Sequence, residues 1–294
     1  MARPEDSLLG RTLRLALGRG SRLAPGIVAP LAWRLFCTPL EAPPPPDAAT
    51  RARLDRGRAL LVDAGRHKLP TRVFGKPGNP TLLLVHGWGS RGFLWLDLAE
   101  DLEQRGFRVV IFDGPGHGAE GPKRTNLPRF AAALHALEEA LGPFEGVVGH
   151  SFGGFASAWA LAGWTAERPL EAPRLVTIGT PEHLSGVVEN FRRILDLSPE
   201  VVDHMDDWIQ ARTGRRIKDI TLSRVVREAG VQAVHIHDRE DKEVPFSEAE
   251  AAASAGPGEL AATIGLGHRR IVRAPEVAAI ISEAMSARAG TPCP

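Results

Sequence analysis

The residues best suited to covalent chemistry lie in Gly149-His150-Ser151-Phe152-Gly153-Gly154. A serine with glycine two positions away on each side, between an apolar run and a helical run, fits a very tight chain reversal. Side chains at 149 and 153 would collide in such a turn. The strain lifts the serine hydroxyl clear of a sheet, and the following N–H and helix N-terminus point at a developing oxyanion. The competing reading is a chance glycine-rich turn. A serine hydroxyl is a weak nucleophile and needs a base. Of ten histidines, His268 in Gly265-Leu266-Gly267-His268 follows an expected strand and precedes the last expected helix, so a loop could carry it back to Ser151. His150 lies in the turn itself. His86 and His117 sit on loops after other strands and are read as shaping the site, whereas His67, His135, His183 and His204 have no motif around them. The base in turn needs an orienting acid. The strand ending at His237 runs into Asp238-Arg239-Glu240-Asp241-Lys242-Glu243-Val244-Pro245, where Asp238, Glu240, Asp241 and Glu243 all compete. Position alone does not choose among them.

Two other chemistries compete for the same chain. Gly87-x-Gly89-x-x-Gly92 after a strand, with Asp113 ending the next strand, matches a dinucleotide fingerprint. Trp88 would crowd a pyrophosphate, His86 is awkward there, and Ser151, Asp241 and His268 would be left without a task. Gly116-x-Gly118-x-x-Gly121 also matches, but Pro122 and Lys123 follow where a helix should begin. His235-x-His237-Asp238 places two histidines on one strand face. A metallo-hydrolase pattern would want Asp at 239 and His at 240, where this chain has Arg239 and Glu240. No metal and no cofactor is therefore expected.

These residues need elements to position them. Apolar runs at 58–63, 68–74, 81–86, 108–113, 146–149, 174–179, 231–237 and 260–264 read as strands, the first two paired through a turn near Gly65. Helical patterns at 93–104, 127–141, 152–164 and 275–288 alternate with the later strands. Strands apolar on both faces, each followed by a helix, predict an α/β fold with a mostly parallel sheet covered by helices on both faces. Between 181 and 230 no strand intervenes. Leu184, Val187, Val188, Phe191, Ile194 and Leu195, then Val201, Val202, Met205, Trp208 and Ile209, keep helical spacing. We read a small helical lid inserted between two strands, on the side where open α/β sheets bind ligands. Phe191, Met205 and Trp208, on its apolar faces, are the candidate substrate-binding residues.

Residues 7–19 and 29–36 carry helical patterns, and four prolines at 43–46 favour a stiff spacer. The expected organisation is an N-terminal helical and proline-rich appendage at 1–57 and one domain at 58–290. The 294 residues are 43% hydrophobic, with 36 basic and 35 acidic side chains for a net charge of +1. That excludes disorder for most of the chain and gives no reason to expect nucleic acid as a partner. The basic excess sits before residue 60, so a weak surface association of the N-terminal helix is allowed for beside plain packing on the main domain. No run reaches the ~18 apolar residues of a membrane span. Leu23–Phe36 is broken by Pro25, Gly26, Pro30 and Arg34, and no small-residue cleavage site follows, so a signal peptide is not expected. Cys37 and Cys293 form no metal or disulfide framework, which fits a reducing, cytoplasmic compartment.

Taken in order, His86-Gly87-Trp88-Gly89, Asp113-Gly114-Pro115-Gly116-His117-Gly118, Gly149-His150-Ser151-Phe152-Gly153-Gly154, Asp241-x-x-Val244-Pro245 and Gly267-His268 resemble the α/β-hydrolase superfamily over about 68–288. The resemblance implies that the D-x-x-V-P segment supplies the acid, which selects Asp241. It implies oxyanion N–H groups at Trp88 and Phe152, and it has the same chain order of Ser, Asp and His. Many members carry Gly after the strand histidine, where this chain has Asp238, so Asp238 stays a rival acid. The implied function is a serine hydrolase acting on a small-molecule ester or thioester through Ser151, Asp241 and His268 and an acyl-enzyme. Acyl transfer on the same machinery is the alternative, as is a catalytically silent scaffold that binds a ligand or partner. An aspartate nucleophile, as in dehalogenases and epoxide hydrolases of this fold, is disfavoured by Ser151.

Overall fold

A computed structural model describes residues 8–40, 43–118, 123–164, 166 and 168–286. Glu41 and Ala42 beside the proline run, Gly121 and Pro122 of the second glycine pattern, Cys293 and the last two residues expected of the closing helix lie outside the described residues. In chain order the elements are α1 (Leu8–Leu23), α2 (Pro25–Phe36), α3 (Ala48–Leu54), β1 (Arg58–Ala64), β2 (His67–Phe74), β3 (Thr81–Val85), α4 (Leu96–Gln104), β4 (Arg108–Phe112), α5 (Leu127–Leu141), β5 (Gly146–His150), α6 (Phe152–Leu161), β6 (Arg174–Ile178), α7 (Leu184–Leu195), α8 (Pro199–Thr213), α9 (Leu222–Ala229), β7 (Gln232–Asp238), α10 (Phe246–Ala255), β8 (Glu259–Thr263), α11 (Gly267–Arg270) and α12 (Pro275–Ser286).

The chain divides into two units, one of residues 39–182 and 222–294 and one of residues 1–38 and 183–221. The first holds an eight-stranded sheet in the order β1-β2-β4-β3-β5-β6-β7-β8. β1 pairs with β2 and β2 with β4 antiparallel, and the strands from β4 to β8 run parallel. The predicted mostly parallel, doubly covered sheet is what forms. Leu82, Leu84, Val109, Ile111, Val148, Val176 and Ile236 on one face join Leu98 and Leu102 of α4 and Val277 and Ile281 of α12 in one core cluster. The alternate residues Leu83, Val110 and Val147 are equally buried, because α5 and α6 lie on the opposite face. Both pleat faces being dry is why the strand sequences show no polar alternation. No helix among the described residues is long and apolar enough to cross a membrane.

Two helices of this unit lacked a readable pattern. α3 is a seven-residue helix started by Asp47, whose carboxylate accepts from the Thr50 N–H at 2.8 Å. It is too short to show amphipathic periodicity. α10 is alanine-rich and buries only Ala249 and Ala252.

The regular elements of the second unit, among the described residues, are helices. Ser21 and Ser198 exchange hydrogen bonds: Ser198 N–H donates to Ser21 Oγ at 2.9 Å, and Ser198 Oγ–H donates to the Ser21 carbonyl at 2.9 Å. Arg22 donates to both carboxylate oxygens of Asp196, at 2.9 and 3.2 Å. Trp33 meets Trp208 edge to face at 6.1 Å, and Phe36 meets Phe191 at 5.1 Å. α1 and α2 thus pack on α7 and α8 of the segment inserted between β6 and β7.

Candidate active site

Ser151 links β5 to α6 with φ 52° and ψ −120°, in the region that L-residues avoid. Holding a non-glycine residue there costs on the order of 1–3 kcal/mol and persists only where surroundings over-determine it. They do so here. Ser151 N–H donates to the Ile178 carbonyl at 2.8 Å, and the Ser151 carbonyl accepts from Gly154 N–H at 3.0 Å and Thr180 Oγ at 3.2 Å. A Cβ on Gly149 would lie 2.5 Å from Gly154 backbone, and one on Gly153 would lie 2.2 Å from the Val85 carbonyl oxygen. Only glycine fits either place. The Phe152 N–H opens α6, so the positive end of that helix lies directly after the serine.

His268, on α11 beyond β8, is buried, and its Nδ1 lies 2.7 Å from Asp241 Oδ2. An ionised carboxylate there requires the proton on Nδ1, which leaves Nε2 as acceptor. Asp241 Oδ1 accepts from Glu243 N–H at 2.8 Å and Val244 N–H at 2.9 Å. Burial works to raise the Asp241 pKa, but the His268 bond and these backbone donors outweigh it and hold it below the ordinary carboxylate value. His150, next to Ser151, ties the two loops together, its Nε2–H donating to the His268 carbonyl at 2.8 Å.

The loop after β3 approaches from the other side. A Cβ on Gly87 would lie 3.4 Å from Ser151 Cβ, so the backbone leading to the Trp88 N–H runs beside the serine. The Trp88 ring meets Phe152 edge to face at 5.0 Å and His117 at 5.6 Å. Histidines set this loop by fixed tautomers. His86 Nε2 accepts from Gly114 N–H at 2.9 Å, and His117 Nε2 accepts from Gly89 N–H at 3.0 Å. Burial pushes His86 below its ordinary pKa and His117 and His150 down to about 3, so all three stay neutral acceptors and donors at neutral pH.

The rival acid has other work. Asp238, fully buried, accepts from Thr263 Oγ at 2.8 Å, Leu266 N–H at 3.0 Å and Glu240 N–H at 3.0 Å. It pins the end of β7 to the loop that carries His268. Glu243 pairs with Arg269 at 2.7 Å on the surface. Asp113, the residue a dinucleotide reading would need, binds Arg91 at 2.7 Å and Gly92 N–H at 2.8 Å. His235 contacts Thr177 Oγ at 2.7 Å and His237 donates to the Val244 carbonyl at 2.9 Å. Among the described residues no group of three or more His, Cys, Asp or Glu side chains is placed to hold a metal ion.

Phe191, Met205 and Trp208 belong to the helical unit. Phe191 and Trp208 make the ring contacts with Phe36 and Trp33 described above, and Met205 is fully buried. Sequence reasoning missed Gly179 and Thr180, and it weighed His237 only as a metal ligand. Gly179, at a left-handed φ of 56°, leaves tight room beside His268, whose Nδ1 a Cβ would approach at 3.2 Å. A glycine directly after an apolar parallel strand was the available signal. His237 Nε2 lies 3.5 Å from Asp241 Oδ2, a proximity with no mark in the sequence.

A family model described as alpha/beta hydrolase fold matches residues 80–216. The chain is 37% identical over 104 residues to a pimeloyl-[acyl-carrier protein] methyl ester esterase of Chromobacterium violaceum, a stretch covering 35% of this chain and 37% of that protein. It is 28% identical over 177 residues to epoxide hydrolase A of Mycobacterium tuberculosis, covering 53% of each. The chain therefore spans from about a third to half the length of these curated relatives. Among solved structures, an esterase of Pyrococcus furiosus superposes with a TM-score of 0.60 at 17% identity, over 84% of this chain and 96% of that one. At that identity the likeness is one of fold.

Proposed function

We propose that this chain, whose residues 80–216 match the alpha/beta hydrolase fold model, is a serine hydrolase cleaving an ester or thioester with an apolar acyl part. Ser151 Oγ attacks the acyl carbonyl as His268 Nε2 takes its proton. Asp241 keeps the imidazole in the Nδ1–H tautomer and stabilises the imidazolium. The Trp88 and Phe152 N–H groups hold the oxyanion. When the tetrahedral intermediate collapses, the alcohol or thiol leaves with the proton from His268. Water, with its proton passing to His268, then attacks the acyl-enzyme, and as the C–Oγ bond breaks His268 returns that proton to Ser151 Oγ and the carboxylic acid leaves.

The observation that carries this reading is the 2.7 Å His268–Asp241 bond at loops tied by His150 to a serine held at positive φ. The named esterase relative supports an ester as the substrate class. A serine in the turn speaks against the aspartate-nucleophile chemistry. We place acyl selection at Phe191, Met205 and Trp208, on helices inserted between β6 and β7. What supports this is their apolar character and the rule that such sheets bind ligands beyond the carboxyl ends of their strands.

The test is a panel of esters and thioesters of increasing acyl length, with fluorophosphonate labelling. Wild type should hydrolyse part of the panel and be labelled. Ser151→Ala should fold, resist labelling and lose on the order of 10⁴-fold or more in kcat. A folded Ser151→Ala protein keeping more than about a tenth of wild-type activity would remove Ser151 as nucleophile.

A further inference from the structure

Helices α1 and α2 turn their faces the wrong way for a water-facing surface. On α2 the buried positions are Ala29 and Ala32, while Ile27 is 80% and Leu31 45% exposed. With Pro30 and Arg34, these side chains recur at three- and four-residue spacing and occupy one side of the helix. On α1, Leu17 and Ser21 are buried, while Leu15 is 60% and Leu23 87% exposed, with exposed Arg19 midway between them at four-residue steps. Single exposed aliphatics are common on soluble proteins, but several on consecutive helices are not.

The charge carried by these two helices themselves has one sign. Residues 8–40 contain five arginines and no lysine, aspartate or glutamate. Arg22 is held by Asp196, while Arg14, Arg19 and Arg34 are exposed. We propose that this face docks on an anionic lipid bilayer surface. Leu15, Leu23, Ile27 and Leu31 would enter the boundary between headgroups and acyl chains, with Arg19 and Arg34 reaching the phosphates. Helices of 16 and 12 residues are too short to span, so they lie in the plane of the interface. A second copy of this chain is a poorer occupant. A two-fold contact through this face would bring Arg19 and Arg34 against their own copies, with no acid on either helix to offset them. The surface is independent of the catalytic reading, since none of its residues belongs to the proposed catalytic or acyl-selecting set.

The experiment is flotation of the full chain with vesicles of phosphatidylcholine alone and of phosphatidylcholine with phosphatidylglycerol, at low and high salt. Wild type should float with the anionic vesicles and less so at high salt. Arg19→Gln with Arg34→Gln should lower that binding roughly 25-fold and weaken the anionic preference, at about fivefold for each arginine near a charged surface. Ile27→Ser with Leu31→Ser should lower binding to both compositions by a similar factor. Because all four side chains are exposed, the melting temperature and hydrolysis of a short soluble ester should not move in either double variant. Failure of wild type to float with anionic vesicles overturns the proposal, as does flotation unaffected by both double variants. Light scattering that shows a dimer dissolved by Ile27→Ser with Leu31→Ser, without vesicle binding, would assign the face to a second copy instead.

Discussion

Two buried aspartates three residues apart do different work at the end of β7. Asp241 faces His268, and Asp238 faces the backbone and hydroxyl donors of the neighbouring loop. Both carboxyls are held below the ordinary value although burial opposes it, Asp238 chiefly by the Gly267 N–H and the Thr263 hydroxyl, Asp241 chiefly by His268. We expect Asp241→Asn to fold and to lose ~10³–10⁴-fold in kcat, because an amide no longer enforces the Nδ1–H tautomer. Asp238→Asn should lose less than about tenfold in kcat but on the order of 1–3 kcal/mol of stability, since a buried acceptor of several bonds becomes partly a donor. Rates per fluorophosphonate-titrated site, together with urea unfolding, separate the two. A crippled Asp238→Asn beside a healthy Asp241→Asn would reverse the roles. In the linear sequence the two acids were equivalent candidates until a family resemblance weighted one. The distinction depends on where α11 returns, which is not a local property.

At the level of elements, the inserted helices α7 and α8 carry rings that meet rings of α2. Met205→Ala should cost ~2–5 kcal/mol in stability, because a fully buried side chain leaves a cavity. Phe191→Ala and Trp208→Ala, at partly exposed sites, should cost less. If these residues also contact the acyl chain, each substitution should shift the preferred ester length, at roughly 1–3 kcal/mol of discrimination per methylene-sized change in fit. The ester panel measured on each variant decides this. A uniform loss at every length would confine them to packing and end their proposed role in selection. Helical spacing made α7 and α8 legible in the sequence. Their pairing with Trp33 and Phe36 was not, since more than 150 residues separate the partners along the chain.

For the whole molecule, histidines buried or partly buried should set a pH response. His86, His117, His135, His150 and His235 all have pKa values lowered by burial, His117 and His150 to about 3 and His235 to about 4. In the unfolded chain each titrates near ~6.5. The unfolded state therefore binds more protons between those values. The stabilising contribution is complete above about pH 6.5 and is lost as pH falls toward the folded values. Urea unfolding at intervals from pH 7.5 to 4 should show stability falling steadily below about 6.5. Asp238 and Asp241, with lowered values, add a further loss only below about pH 4. Stability independent of pH between 7 and 5 would mean that these imidazoles are hydrated rather than buried.

Apolar runs and their spacing were enough to specify the parallel sheet, its covering helices, the helical insertion and the turn at Ser151. Each of these is a property of neighbours in the chain: strands dry on both faces must be apolar at every position, and a reversal as tight as Gly149–Gly153 admits glycine alone at its flanks. Short helices such as α3 escaped because seven residues complete too few turns to display a face. The match of Asp241 to His268, the brace from His150, the closeness of Gly179 to the imidazole and the outward aliphatics of α1 and α2 were settled in three dimensions. They join residues that strand order and helix rotation bring together, and neither can be read from any one segment: a carboxylate's partner is chosen by distance through space, and an aliphatic side chain counts as core or surface only once its neighbours are in place.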